Sequence, residues 1–166
     1  MSTTIVEQRL RTFLLWLAGS MCVGTIVELF LAKHYEDPLQ LIPFGLCGMG
    51  LIAVLAALRR PQRTQLLALR GVMSLLLLGS LLGVYEHLVN NFAFELEMRP
   101  SAIWSDVWFQ ALRGAAPLLA PGILAVAAVV AIAATYAHPA LARRTDAAAQ
   151  AGSAAGEPPL SQSRRT

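Results

Sequence analysis

"SLLLLGSLLGVYEHLVNNFAFELE", Ser74 to Glu97, is the stretch on which the fold turns. Its first half carries no charge, and its second half sets Glu86 beside His87, then Asn90, Asn91, Glu95 and Glu97. A helix so uniformly apolar must be covered on every side, by protein or by lipid. Upstream the run reaches back to Leu66, and Leu66 to about Val89 is long enough to cross roughly 30 Å of hydrocarbon. Three further runs of that kind occur: Thr12 to Ala32, Leu39 to Leu58 and Gly114 to Ala137. The chain of 166 residues is 56% hydrophobic and only 14% charged, where soluble domains carry about 25% charged residues. Its mean hydropathy is +0.57. The expectation is an all-α, four-helix transmembrane bundle over residues 1–144.

Orientation follows from the arginines. Arg9 and Arg11 precede the first run, Arg59, Arg60, Arg63 and Arg70 lie between the second and third, and Arg143 and Arg144 follow the fourth. The other two connections hold Lys33, Arg99 and Arg113 against Glu36, Asp37, Glu95, Glu97 and Asp106. Short loops rich in Lys and Arg stay in the cytoplasm, so both termini are expected inside and the acidic loops outside. The first run is too long for the h-region of a cleaved signal peptide and reads as a retained helix. Arginine in place of lysine and abundant alanine suggest a GC-rich bacterial genome, and hence the inner membrane.

The first outer connection, "KHYEDP", implies a tight hairpin, with Pro38 or Pro43 suited to the early turn of the second helix. In the second, Phe92, Phe94, Leu96 and Met98 alternate with Ala93, Glu95, Glu97 and Arg99, a period of two that suggests an extended segment. After Pro100, Ser101 could cap a short interfacial helix with Ile103, Trp104, Val107, Trp108 and Ala111 on one face. Residues 145–166 are small and polar with Pro and Gly, and read as a disordered cytoplasmic tail. Cys22 and Cys47 lie in different apolar runs without metal or redox spacing and read as packing residues. No basic stripe interleaved with aromatics is present, so nucleic acid is not an expected partner.

The polar residues near the outer ends of the runs are the candidate site. Gly79, Gly83, Glu86, His87 and Asn90 share about a third of the third helix, and the two glycines form a small-xxx-small pair that admits a neighbour. On the first helix Ala18, Met21, Thr25, Glu28 and Ala32 share a face. Glu28, Glu86 and His87 are therefore expected to converge in the outer half of the bundle, beneath a rim of His34, Glu36, Asp37, Asn90, Asn91 and Glu95. An intramembrane carboxylate is expensive and points to a partner, a cavity or a function. Three readings stay open: a structural Glu–His or Glu–Glu lock, a site for a divalent metal held by Glu28, Glu86 and His87, and a proton relay or small-solute vestibule. A haem held by His34 and His87 is disfavoured, because axial imidazoles must share one depth. His138 reads as an interfacial end residue. On the fourth helix Pro117 could start the helix and Pro121 kink it.

The segments "ELFLAKHYEDPLQLIPF" (28–44), "NNFAFELEMRPS" (90–101) and "ALRGAAPLLAPG" (111–122) resemble short four-span bacterial membrane proteins that have no assigned activity. That resemblance implies that the acidic outer segments recur as a set, and it implies no catalytic residue. With no nucleotide loop, nucleophile triad or thiol motif, a free-standing enzyme is not expected. The expected function is a multi-pass inner-membrane protein presenting an outward-facing Glu/His pocket. The alternative is an accessory subunit docking other membrane subunits or further copies of itself in the lipid bilayer.

Overall fold

The computed structural model describes residues 5–114 and 119–142. They are helical, and among them there is no strand. The helices are α1 (Ile5–Leu31), α2 (Ile42–Arg59), α3 (Arg63–Met98), α4 (Trp104–Leu112) and α5 (Leu119–Ala134), with a 3-10 turn at Pro38–Leu41 before α2. Three segments are long and apolar enough to cross a membrane: Ile5–Leu31, Pro38–Arg59 and Arg63–Met98. The fourth apolar helix, α5, is shorter, at 16 residues. The expected tail of residues 145–166, Arg143, Arg144 and the helix start at Pro117 lie outside the described residues. Pro121 lies within α5.

Local chemistry explains the ends. α1 begins before the apolar run because Glu7, Gln8, Arg9 and Arg11 are good helix formers. It ends in a Schellman motif: the His34 N–H donates to the Leu29 carbonyl at 2.9 Å and the Lys33 N–H to that of Phe30 at 3.1 Å. Lys33 adopts the left-handed conformation this needs, at φ 52°. The chain is then turned by a capping box: Asp37 accepts from the Leu39 N–H at 2.9 Å, while Gln40 Oε1 accepts from the Glu36 and Asp37 N–H groups. Both prolines fall where expected, Pro38 opening the 3-10 turn and Pro43 in the first turn of α2. Pro61 then keeps Arg60 out of the helical conformation, at φ −143° and ψ 87°, and α2 ends there.

α1 packs on α2 and α5, and α3 packs on the same two helices. The four form a closed ring with α1 and α3 at opposite corners. Small residues fill the ring: Ala18, Cys22, Cys47, Gly50, Ala57, Ala127, Ala128 and Ala131 are buried, with Leu66, Leu69, Met73 and Leu76 supplying bulk. Glycines set the close approaches and the register. A Cβ on Gly50 would lie 3.1 Å from Leu76 Cδ1 and 3.6 Å from Cys22 Sγ, one on Gly79 would lie 2.7 Å from Leu46 Cδ1, and one on Gly83 would lie 3.3 Å from Pro121 Cβ. The expected glycine pair thus admits two neighbours, α2 and α5.

Three expectations are corrected. Phe92 to Met98 is helical, continuing α3 to 36 residues. Burial here follows the helical step and not the alternation: Asn91 is buried, Phe92 and Glu95 are half-buried, and the spacing between 91 and 95 is one turn. Arg99 adds an i,i+4 ion pair with Glu95. Arg70 is not a loop residue but lies inside α3, where it bonds the end of α5. The short helix does form, but its N-cap is Ile103 rather than Ser101. It buries Val107 and Ala111 against α3, and Phe92 packs on both Trp104 and Trp108, with ring centroids 5.6 and 5.1 Å apart.

A second unit starts at Ala137. In its described residues, His138 Nδ1 accepts from the Ala140 N–H at 3.2 Å at the start of a helical turn.

Candidate functional site

The buried stripe of α3 runs Leu66, Leu69, Met73, Leu76, Ser80 and Asn91, with steps of three, four and eleven residues. His87 falls on that stripe and is half-buried. At 100° per residue this inward face is turned by roughly 95° from the one centred on Gly79, Gly83 and Glu86. The turn separates two neighbours: His87 looks into the ring, while Glu86 and Asn90 are exposed on its outside.

His87 meets a different residue from the one expected. Its ring centroid lies 6.3 Å from that of His34, with the planes tilted by 40°. The Schellman turn brings this about, because it folds the chain back over the end of α1 and carries His34 inward with it. Among the described residues neither imidazole makes a hydrogen bond or ion pair.

Glu28 is half-buried on α1. No hydrogen bond or ion pair joins it to Glu86 or His87, and among the described residues no group of three or more His, Cys, Asp and Glu side chains could hold a metal. The three-residue set Glu28, Glu86 and His87 is therefore not assembled as a ligand cluster. α1 and α3 stand at opposite corners of the ring, and the turn after α1 carries His34 to His87.

The expected rim divides into residues with separate tasks. Asp37 is spent on capping the 3-10 turn, and Glu36 is exposed beside it. Glu95 pairs with Arg99. Asn91 is 4% exposed, and its Nδ2 donates to the Ala111 carbonyl at 3.0 Å, tying the last turn of α4 to α3. Gly114 is required there: a Cβ would come within 2.4 Å of Asn91 Cγ.

Three features were not anticipated from the sequence. Thr25 and Ser80 are buried at 2% and 4% exposure, and among the described residues their hydroxyls have no hydrogen-bond partner. Each lies one turn beyond the shared layer of Cys22, Gly50 and Leu76, on the side toward His34 and His87. At the opposite end Arg70 Nε donates to Thr135 Oγ1 and Nη2 to the Thr135 carbonyl. The spacing of Leu66, Leu69, Met73, Leu76, Ser80 and His87 was the available signal for the inward face. An apolar groove of about 350 Å³ runs between α1 and α2, lined by Trp16, Ser20, Gly24, Leu51 and Leu55 among others, with no titratable side chain.

Comparison with protein-family models, with curated proteins and with solved structures yields no match.

Proposed function

We propose that this is a four-crossing protein of the bacterial inner membrane, with both termini cytoplasmic, whose outer face carries a His34–His87 site that handles protons, a cation or a small polar solute. The imidazole pair is the observation that carries this reading. The membrane boundary follows from helix lengths. α2, at 18 residues, rises about 27 Å and fits the hydrocarbon layer, whereas α3, at 36 residues, rises about 54 Å. The pairings Arg70–Thr135 and Gly83–Pro121 align α5 with residues 70–83 of α3, so the larger part of the surplus lies beyond Gly83. Glu86, exposed on the outside of the ring, would cost several kcal/mol against acyl chains. On this reading α3 emerges just before it. The greasy helix ends in polar groups because it has left the oil, and exposed Tyr85, Trp104 and Trp108 sit where interfacial aromatics belong.

The test is flux in proteoliposomes. An imposed pH gradient should decay faster with the protein than without it, and His87→Gln should remove the difference while the variant still inserts. A decay rate that ignores both the protein and the substitution contradicts the reading.

A second reading, an accessory subunit, is favoured by α4. Ile103, Trp104, Trp108 and Phe109 are 71%, 67%, 49% and 68% exposed, an aromatic surface suited to a protein partner. Crosslinking from Trp108 in native membranes to one defined protein would favour it over the first.

A further inference from the structure

The two histidines meet at a place where the backbone is strained to bring them together. Lys33 is one of two non-glycine residues with positive φ among those described, and left-handed backbone costs a side-chain-bearing residue about 1–2 kcal/mol. Strain of this kind persists where the surrounding structure holds it, and often where a function depends on it. Here it carries His34 across the top of α1 to a ring that lies on the inward stripe of α3. A packing role alone does not use the chemistry: neither imidazole donates to or accepts from any described residue, although both are half-buried.

We infer that His34 and His87 form a two-imidazole site for a borderline divalent cation of the copper or zinc class, with the remaining coordination positions open. The inference rests on the reading of the outer face proposed above and names its ligand. Neutral imidazole is a preferred donor for Zn and Cu, whereas Mg and Ca require sets of oxygen ligands. A metal–nitrogen bond of about 2.0–2.1 Å lets one ion bridge two ring nitrogens roughly 4 Å apart. Rings with centroids 6.3 Å apart can present nitrogens at that separation by rotation about their side-chain bonds. Among the described residues no third protein ligand joins the pair, so water or a delivered ligand completes the shell and the ion exchanges readily. Glu28, Glu36, Asp37 and Glu86 lie near the two histidines in sequence and supply negative charge to draw a cation without ligating it.

The experiment titrates the purified full-length chain, in detergent and without a histidine tag, with Cu²⁺, and follows electron paramagnetic resonance. The expected result is one Cu²⁺ per chain with two equatorial nitrogens, displaced by Zn²⁺. His34→Phe and His87→Phe, which keep a ring in place, should each weaken binding by at least about tenfold, the lower end of what losing even an outer partner of a metal ligand costs. His34→Gln and His87→Gln serve as second variants should a phenylalanine disturb folding, and His138→Ala should bind like wild type. Failure to bind stoichiometrically, copper that survives replacement of both residues, or a signal that moves with His138→Ala overturns the inference. If copper fails to bind while His87→Gln still abolishes proton flux, the metal inference falls and the outer-site reading stands. Copper binding as described with flux unaffected by His87→Gln supports the metal site and counts against proton transfer.

Discussion

Arg70 holds the end of α5 through Thr135, donating from Nε to its hydroxyl at 2.7 Å and from Nη2 to its carbonyl at 3.0 Å. The cation sits where the last carbonyls of a helix lack partners and where the helix dipole favours positive charge. Arg70→Ala is expected to destabilise the bundle by about 1.5–3 kcal/mol, the range for hydrogen bonds to a charged group. Arg70→Lys should recover only part of that, because an ammonium cannot reproduce the two-pronged geometry. Thermal unfolding in detergent reads both, and an Arg70→Ala protein as stable as wild type would count against this contact.

Asn91 and Gly114 form a second clasp, and it fixes α4. Gly114→Ala puts a Cβ 2.4 Å from Asn91 Cγ, so the amide must leave the Ala111 carbonyl. Asn91→Leu removes the same bond, at a cost of about 0.5–1.5 kcal/mol, while the Ala111 carbonyl keeps the Gly114 N–H at 3.3 Å. Both variants should loosen α4 from Phe92, read as faster proteolysis within residues 99–114 and altered emission from Trp104 and Trp108. Cleavage rates equal to wild type would show that α4 is held by other means.

Lys33 offers a test with the opposite sign. Its φ of 52° suits glycine, so Lys33→Gly should stabilise the protein by about 1 kcal/mol and leave His34 in place. Lys33→Val should destabilise it, because a β-branched residue tolerates that conformation poorly. Unfolding midpoints that fail to rank Gly above Lys above Val would contradict the Schellman turn.

Glycines in this chain are not equivalent. Gly79→Leu forces a side chain into Leu46 and should cost about 1–3 kcal/mol, as overpacking does, whereas Gly24→Ala meets nothing within 4 Å and should be neutral or slightly stabilising. The comparison is made by unfolding of the two variants side by side.

The helical class and three long apolar helices were legible because uninterrupted apolar length is a strong signal. The hairpin prolines were legible because Pro has few places to sit. Phe92 to Met98 was misread because seven residues fit a period of two by chance, and only the burial of Asn91 and half-burial of Glu95 reveal the helical step. The inward face of α3 was misjudged because glycines marked close approach by two neighbours at its flank, not the centre of the ring. His34 was placed in the rim and at a different depth from His87, since nothing local to "AKHY" says that a lysine will turn left-handed and send the next residue inward. Arg70 was read with its neighbouring arginines, because a sequence does not show which arginine finds the end of another helix.

The central claim is that α3 leaves the hydrocarbon near Gly83, so that the histidine site faces water outside. Single cysteines at Leu78 and Glu86, both exposed on the outside of the ring, test it in a Cys22→Ser, Cys47→Ser background. With a membrane-impermeant maleimide added to the outer side, Glu86→Cys should label rapidly and Leu78→Cys should not. Protection of Glu86→Cys equal to that of Leu78→Cys, or labelling only from the cytoplasmic side, would contradict the account.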